Sequence, residues 1–153
     1  MTTQATPIAD TLKEIRASMQ AGAFDDAARL AADVLSNDPD NQDALYMAAA
    51  TARYRGKLSD AFGFLARLKR IAPDFGRAFQ EEGHLLRSQG DTRQALHAFE
   101  RAVRYNPALN ASWNAIAELQ DGFGNPRAAA EARAQAGRLP PPKFPRGNRF
   151  DAS

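Results

Sequence analysis

The chain has 153 residues, 44% of them hydrophobic and 25% charged, which is enough for one domain with a real core. It holds no cysteine, which excludes disulfides, thiolate metal sites and a cysteine nucleophile. The net charge of +2 is uneven: residues 1–41 carry −4, 42–109 carry +4, 110–139 none and 140–153 +2, an asymmetry that can orient a partner but is too mild to indicate nucleic acid.

The amino terminus, MTTQATPIADTLKE, has no basic segment followed by an apolar run, so no secretory signal is expected. No window approaches the roughly 18 apolar residues of a membrane span, and the expected location is the cytoplasm. Residues 1–7 read as a short extension. From residue 8 onward the sequence repeats every 34 residues: Gly22, Gly56, Gly90 and Gly124 form one column, Ala27, Ala61, Ala95 and Ala129 a second, and Pro39, Pro73, Pro107 and Pro141 a third. The repeats are 8–41, 42–75, 76–109 and 110–143. Each holds two runs of helix-forming residues split at the glycine, such as ALYMAAATARYR (44–55) and LSDAFGFLARLKRI (58–71), or AFQEEGHLLRSQ (78–89) and TRQALHAFERAVRY (92–105). No long stretch alternates with the period of a strand.

The columns have mechanical meanings. Glycine supplies a positive φ that ends the first helix, and proline punctuates the end of the second. Asp25, Ser59, Asp91 and Asn125 follow the glycine as expected N-caps, with Pro126 in the first turn of the last helix. Alanine lets two antiparallel helices approach closely. The final stretch, PPPKFPRGNRFDAS, cannot continue the helical pattern; residues 144–153 read as a Pro-rich, basic tail, either a linker or a docking segment anchored by Phe144 and Phe150. The polar last helix, RAAAEARAQAGR, either caps the array itself or is followed by more polypeptide in a natural parent.

A 34-residue helix–turn–helix period resembles that of the tetratricopeptide repeat. Repeat 76–109 carries the resemblance best, with Phe79, Gly83, Ala95, Phe99, Ala102 and Pro107; repeat 110–143 follows with Trp113, Ala117, Ala129 and Pro141. Departures occur at Glu14 and Glu82, where the family has leucine, at Thr11 and Ile15, and at Arg133, which stands in the column of Phe99. The resemblance implies an all-α fold, a right-handed α-solenoid of four repeats, and a concave side lined by the first helices on which such proteins receive a peptide. Three columns should face it: Leu12–Tyr46–Gln80–Asn114, Arg16–Ala50–His84–Glu118 and Met19–Arg53–Arg87–Asp121. They lie three and four residues apart, hence on one stripe, and their polar or small character argues for an exposed surface. The candidate partner-binding residues are therefore Arg16, Tyr46, Arg53, Gln80, His84, Arg87, Asn114 and Glu118. Arg53 and Arg87 are either solvated or a fork for a carboxylate or phosphate. The lysine and asparagine clamp of chaperone-binding members is absent, its columns holding Leu12, Arg16, Ala50, Gln80 and His84.

Nothing points to catalysis, a cofactor or a metal. Glu81-Glu82-Gly83-His84 contains a Glu-x-x-His, but a di-metal bundle needs a second, and His97 has Gln94 in that place. There is no phosphate loop and no hydrolase elbow. The expected function is a non-catalytic module that binds a protein or peptide, one bearing an acidic group, with no nucleic acid and no membrane involved. A second, weaker resemblance runs from RIAPDFGRAFQEEGHLL onward and is similar to the repeat region that bacterial tetratricopeptide–sulfotransferase proteins carry before their catalytic domain. It implies the alternative of a substrate-recognition domain of a larger enzyme, with no catalytic residue in this chain.

Overall fold

The four repeating glycines, Gly22, Gly56, Gly90 and Gly124, all adopt left-handed backbone, with φ between 75° and 82°. Each sits in the same pair of hydrogen bonds. At the first, Gly22 N–H donates to the Met19 carbonyl at 3.1 Å and Ala23 N–H reaches back to Ser18 at 2.8 Å. The same pattern recurs from Lys57 to Ala52, Asp91 to Leu86 and Asn125 to Gln120. These are Schellman stops, which satisfy the last carbonyls of a helix at a residue that tolerates positive φ.

Such stops divide the chain into eight helices among the described residues, 7–139 of this computed structural model: α1 (Ile8–Gln20), α2 (Phe24–Asn37), α3 (Gln42–Tyr54), α4 (Leu58–Ile71), α5 (Gly76–Ser88), α6 (Thr92–Tyr105), α7 (Asn110–Gly122) and α8 (Pro126–Gly137). No described residue is in a strand. Pro141 and the tail 144–153 lie outside the described residues, as does all but Pro7 of the extension. Proline is placed more specifically than as a helix stop. Pro39, Pro73 and Pro107 each occupy the second position of a four-residue turn, closed by Asn41 N–H to Asp38, Phe75 N–H to Ala72 and Leu109 N–H to Asn106 at 3.1–3.2 Å.

Among the described residues two compact units result, dividing between Ile71 and Ala72. In the first, α1 and α2 form a hairpin, α3 packs on both, and α4 packs on α3. The second repeats the scheme, with α5 on α6, α6 on α7 and α7 on α8. Ala27, Ala61, Ala95 and Ala129 are all fully buried, as close helix contact requires. In α5, a Cβ built on Gly83 would lie 2.8 Å from the Phe99 ring, so that ring rests directly on the α5 backbone. Phe99 is fully buried and anchors a cluster with Leu96, Val103, Ile116 and Leu119, to which Trp113 and Phe123 add partly buried rings. The polar last helix buries only Ala129, Ala132 and Ala136.

The expected N-caps are corrected in part. Asp91 caps α6 by accepting from Gln94 N–H at 3.3 Å, and Asn125 occupies the cap position of α8 but turns its amide to Gln120 instead. Asp25 and Ser59 do not cap; both lie inside the first turn, because α2 and α4 begin at Phe24 and Leu58. The cap is the residue directly after the glycine, giving the column Ala23–Lys57–Asp91–Asn125. Asn41, not foreseen, caps α3 through Ala44 N–H at 2.9 Å.

Candidate functional site

The candidate residues fall in two groups, one in each unit. In the first unit, Arg16 on α1 is half-buried. Tyr46 on α3 is only 4% exposed. Arg53, in the last turn of α3, lies with its guanidinium 4.4 Å from the Tyr54 ring centroid, and Tyr54 stacks on Phe24 at 4.8 Å and 9°. That cation–π geometry holds the positive charge over an aromatic face.

The second unit brings five of the candidates onto α5 and α7. Gln80 is buried, and its Oε1 accepts from Ser112 Oγ at 2.7 Å. His84 is half-buried and meets the Phe99 ring edge-on at 5.0 Å. Arg87 Nη2 donates to Glu118 Oε2 at 2.5 Å across the two helices. Asn114 Nδ2 donates to Asn110 Oδ1 at 2.8 Å, and Asn110 in turn donates to the Ala136 carbonyl at the end of α8. Among described residues, no group of three His, Asp or Glu side chains is placed to hold a metal.

Polarity alone predicts an exposed stripe, and two of its members are corrected. Tyr46 and Gln80 are buried, so neither offers its side chain to a ligand on this surface. Polarity does not imply exposure when a partner satisfies the group, as Ser112 satisfies Gln80. Of the candidates on α5 and α7, Glu118 is the most exposed, with 60% of its side chain open, while its partner Arg87, at 35%, is half-buried like His84 and Asn114. Sequence reasoning does not single out Ser112 or Asn110. Ser112 has a readable signal: its column is otherwise Asp10, Ala44 and Ala78, so a hydroxyl enters where the two preceding repeats have buried alanine.

Known proteins share the helical-repeat fold. Tetratricopeptide repeat family models match residues 18–81 and 81–141, together spanning seven of the eight helices and the end of α1. DnaJ homolog subfamily C member 3 of Rattus norvegicus is 31% identical over 114 residues, covering 74% of this chain and 23% of that protein. Cellulose synthase 2 operon protein C of Komagataeibacter xylinus is 36% identical over 89 residues, covering 57% of this chain and 7% of that protein. The chain thus spans less than a quarter of these relatives. Among solved structures, TTC0263, a thermophilic TPR protein of Thermus thermophilus, superposes with a TM-score of 0.74 at 21% identity over 85% of this chain and 73% of that one. The crystal structure of MamA superposes with 0.69 at 19% identity over 86% and 77%. No described helix is long and apolar enough to cross a membrane. With helical hairpins, glycine stops and family matches in agreement, the chain belongs to the tetratricopeptide repeat family and has its all-α helical-repeat fold.

Proposed function

We propose that this chain is a non-catalytic interaction module that takes an extended peptide or a helix of a partner protein on the first helices of its repeats, centred on α5 and α7 of the second unit. Tetratricopeptide repeat proteins are in general protein-interaction modules, and that much applies to this chain. The observation that supports the finer reading is the Arg87–Glu118 pair between α5 and α7. A half-exposed ion pair contributes only about 0–1 kcal/mol, so a ligand carboxylate can replace Glu118 on the guanidinium fork at little cost. His84 and Asn114 flank that position on the same helices and are half-buried, which suits groups that read a bound backbone.

The first prediction tests this directly. Peptides are selected on the immobilised chain from a random library, and their affinities are measured by fluorescence anisotropy for the wild type, Arg87→Glu and Glu118→Gln. Arg87→Glu is expected to weaken binding by about tenfold or more, while Glu118→Gln, which frees the guanidinium, holds or tightens it. Peptides bound equally by all three proteins would place the site elsewhere.

A further inference from the structure

On the opposite side of α3 from Tyr46 and Arg53, the first unit contains a cleft of about 400 Å³ between α2 and α4. Its α3 wall is formed by Ala48, Ala52 and Arg55, each two positions beyond a residue of the candidate binding stripe, or about 200° around the helix. Ala28 and Ala32 of α2 complete an alanine floor, with Leu35 and Phe64 as apolar walls.

The second unit shows that this opening is a choice of residues and not a default of the fold. Two repeats further on, Ala28 corresponds to Leu96 and Ala48 to Ile116, both buried in the cluster around Phe99. Arg55 corresponds to Phe123, which packs against the same cluster, and Arg67 to Gln135. Where the second unit has leucine, isoleucine and phenylalanine, the first has two alanines and an arginine, and its bulk stands instead on the far wall, where Phe64 replaces the buried Ala132. The volume lies within the range of small-ligand pockets, roughly 300–1,000 Å³.

The charges on the rim define the ligand. Arg55 Nε is already paired with Asp25 Oδ1 at 2.9 Å. Arg67 is held in place by a neutral group, its Nη2 donating to the Pro39 carbonyl at 2.8 Å, and so keeps its positive charge for another partner. Asp60 is the one carboxylate among the lining residues and opposes an anion. We propose that this cleft binds a small amphipathic monocarboxylate, an aliphatic acid of medium chain length that lays its tail on the alanine floor and turns its carboxylate to Arg67. This is a site distinct from the peptide-binding face and does not depend on it.

The test is a titration of the full chain with sodium octanoate, well below its micelle concentration, followed by amide ¹H–¹⁵N correlation spectra, with octanol as the uncharged control. Saturable shifts are expected at Ala28, Ala32, Ala48, Ala52 and Phe64, with octanol weaker by about tenfold. Ala28→Leu with Ala48→Ile, which installs the second unit's own residues, abolishes the shifts while helicity is retained. Should that pair fail to fold, Ala32→Leu at the exposed edge of the floor blocks the cleft instead. Arg67→Gln weakens octanoate without affecting octanol, and Asp60→Asn tightens it. Shifts that do not saturate, or that persist unchanged in the filled variants, overturn the pocket. Equal binding of octanoate and octanol, unaffected by Arg67→Gln, overturns its assignment to a carboxylate.

Discussion

Thr51 lies one turn from the end of α3 with no exposed surface, and its hydroxyl has no hydrogen-bond partner. Burying an unsatisfied hydroxyl costs about 1–3 kcal/mol, so Thr51→Val is expected to stabilise the protein by about 1 kcal/mol. Differential scanning calorimetry should show the midpoint rising by about 2–4 °C, and an unchanged or lower midpoint would count against the orphaned hydroxyl. A second residue-scale device is size compensation inside the first three hairpins. Gly83 stands against Phe99, and the same two columns hold Ile15 with Ala31 in the first repeat and Ala49 with Leu65 in the second, all buried. A large residue on one helix is matched by a small one on the other. Phe99→Ala should therefore cost about 3–5 kcal/mol and Gly83→Ile at least about 1–3 kcal/mol by overpacking. Together they reproduce the first repeat's pairing, and urea denaturation should find the double variant clearly more stable than the sum of the two losses. Trp113 is only partly buried and donates its Nε1–H to the Pro107 carbonyl at 2.9 Å, so its truncation is milder than that of Phe99.

At the scale of the element, the helices were readable because their punctuation recurs with the same period as their cores. The caps are less legible, since Asp25 and Ser59 belong to a column two residues beyond the true one. What fixes the cap is the backbone leaving the Schellman turn at the residue after glycine, whatever its side chain. Two of those four positions, Ala23 and Lys57, lack a capping oxygen. Lys57→Asp supplies one and replaces a positive charge at a helix N-terminus with a negative one, and should add about 0.5–2 kcal/mol. Asp91→Ala removes the existing cap of α6 and should lose about as much. Thermal melts of the two variants should move in opposite directions. The candidate face was legible as a stripe of positions. Its depth was not, because Gln80 is buried with Ser112, a partner 32 residues away in another helix, and no local pattern reports that contact.

For the molecule as a whole, the contrast lies between helices, in how much each one buries. In the first unit α2 buries Ala27, Ala31 and Val34, and α4 buries Ala61, Leu65 and Leu68, beside the open cleft. In the second, α6 buries Ala95, Leu96, Ala98, Phe99, Ala102 and Val103, and α7 buries Ala115, Ile116, Ala117 and Leu119. Repeat arrays gain stability unit by unit, and less buried apolar area means weaker local protection. Hydrogen exchange is expected to be slowest in α6 and α7 and measurably faster in α2 and α4. Uniform protection across all eight helices would indicate a single cooperative block.

The glycine stops are local. Each is completed by hydrogen bonds that reach no further than five residues, and side-chain space beyond Gly56, Gly90 and Gly124 is empty. A helix end written so locally belongs to its own repeat and asks nothing of the neighbouring one. A gene segment of 34 codons, cut at equivalent points and copied or deleted, therefore carries its complete start and stop signals with it. The number of repeats becomes an inheritable quantity that can change in single steps, while the shape of each repeat stays as it was.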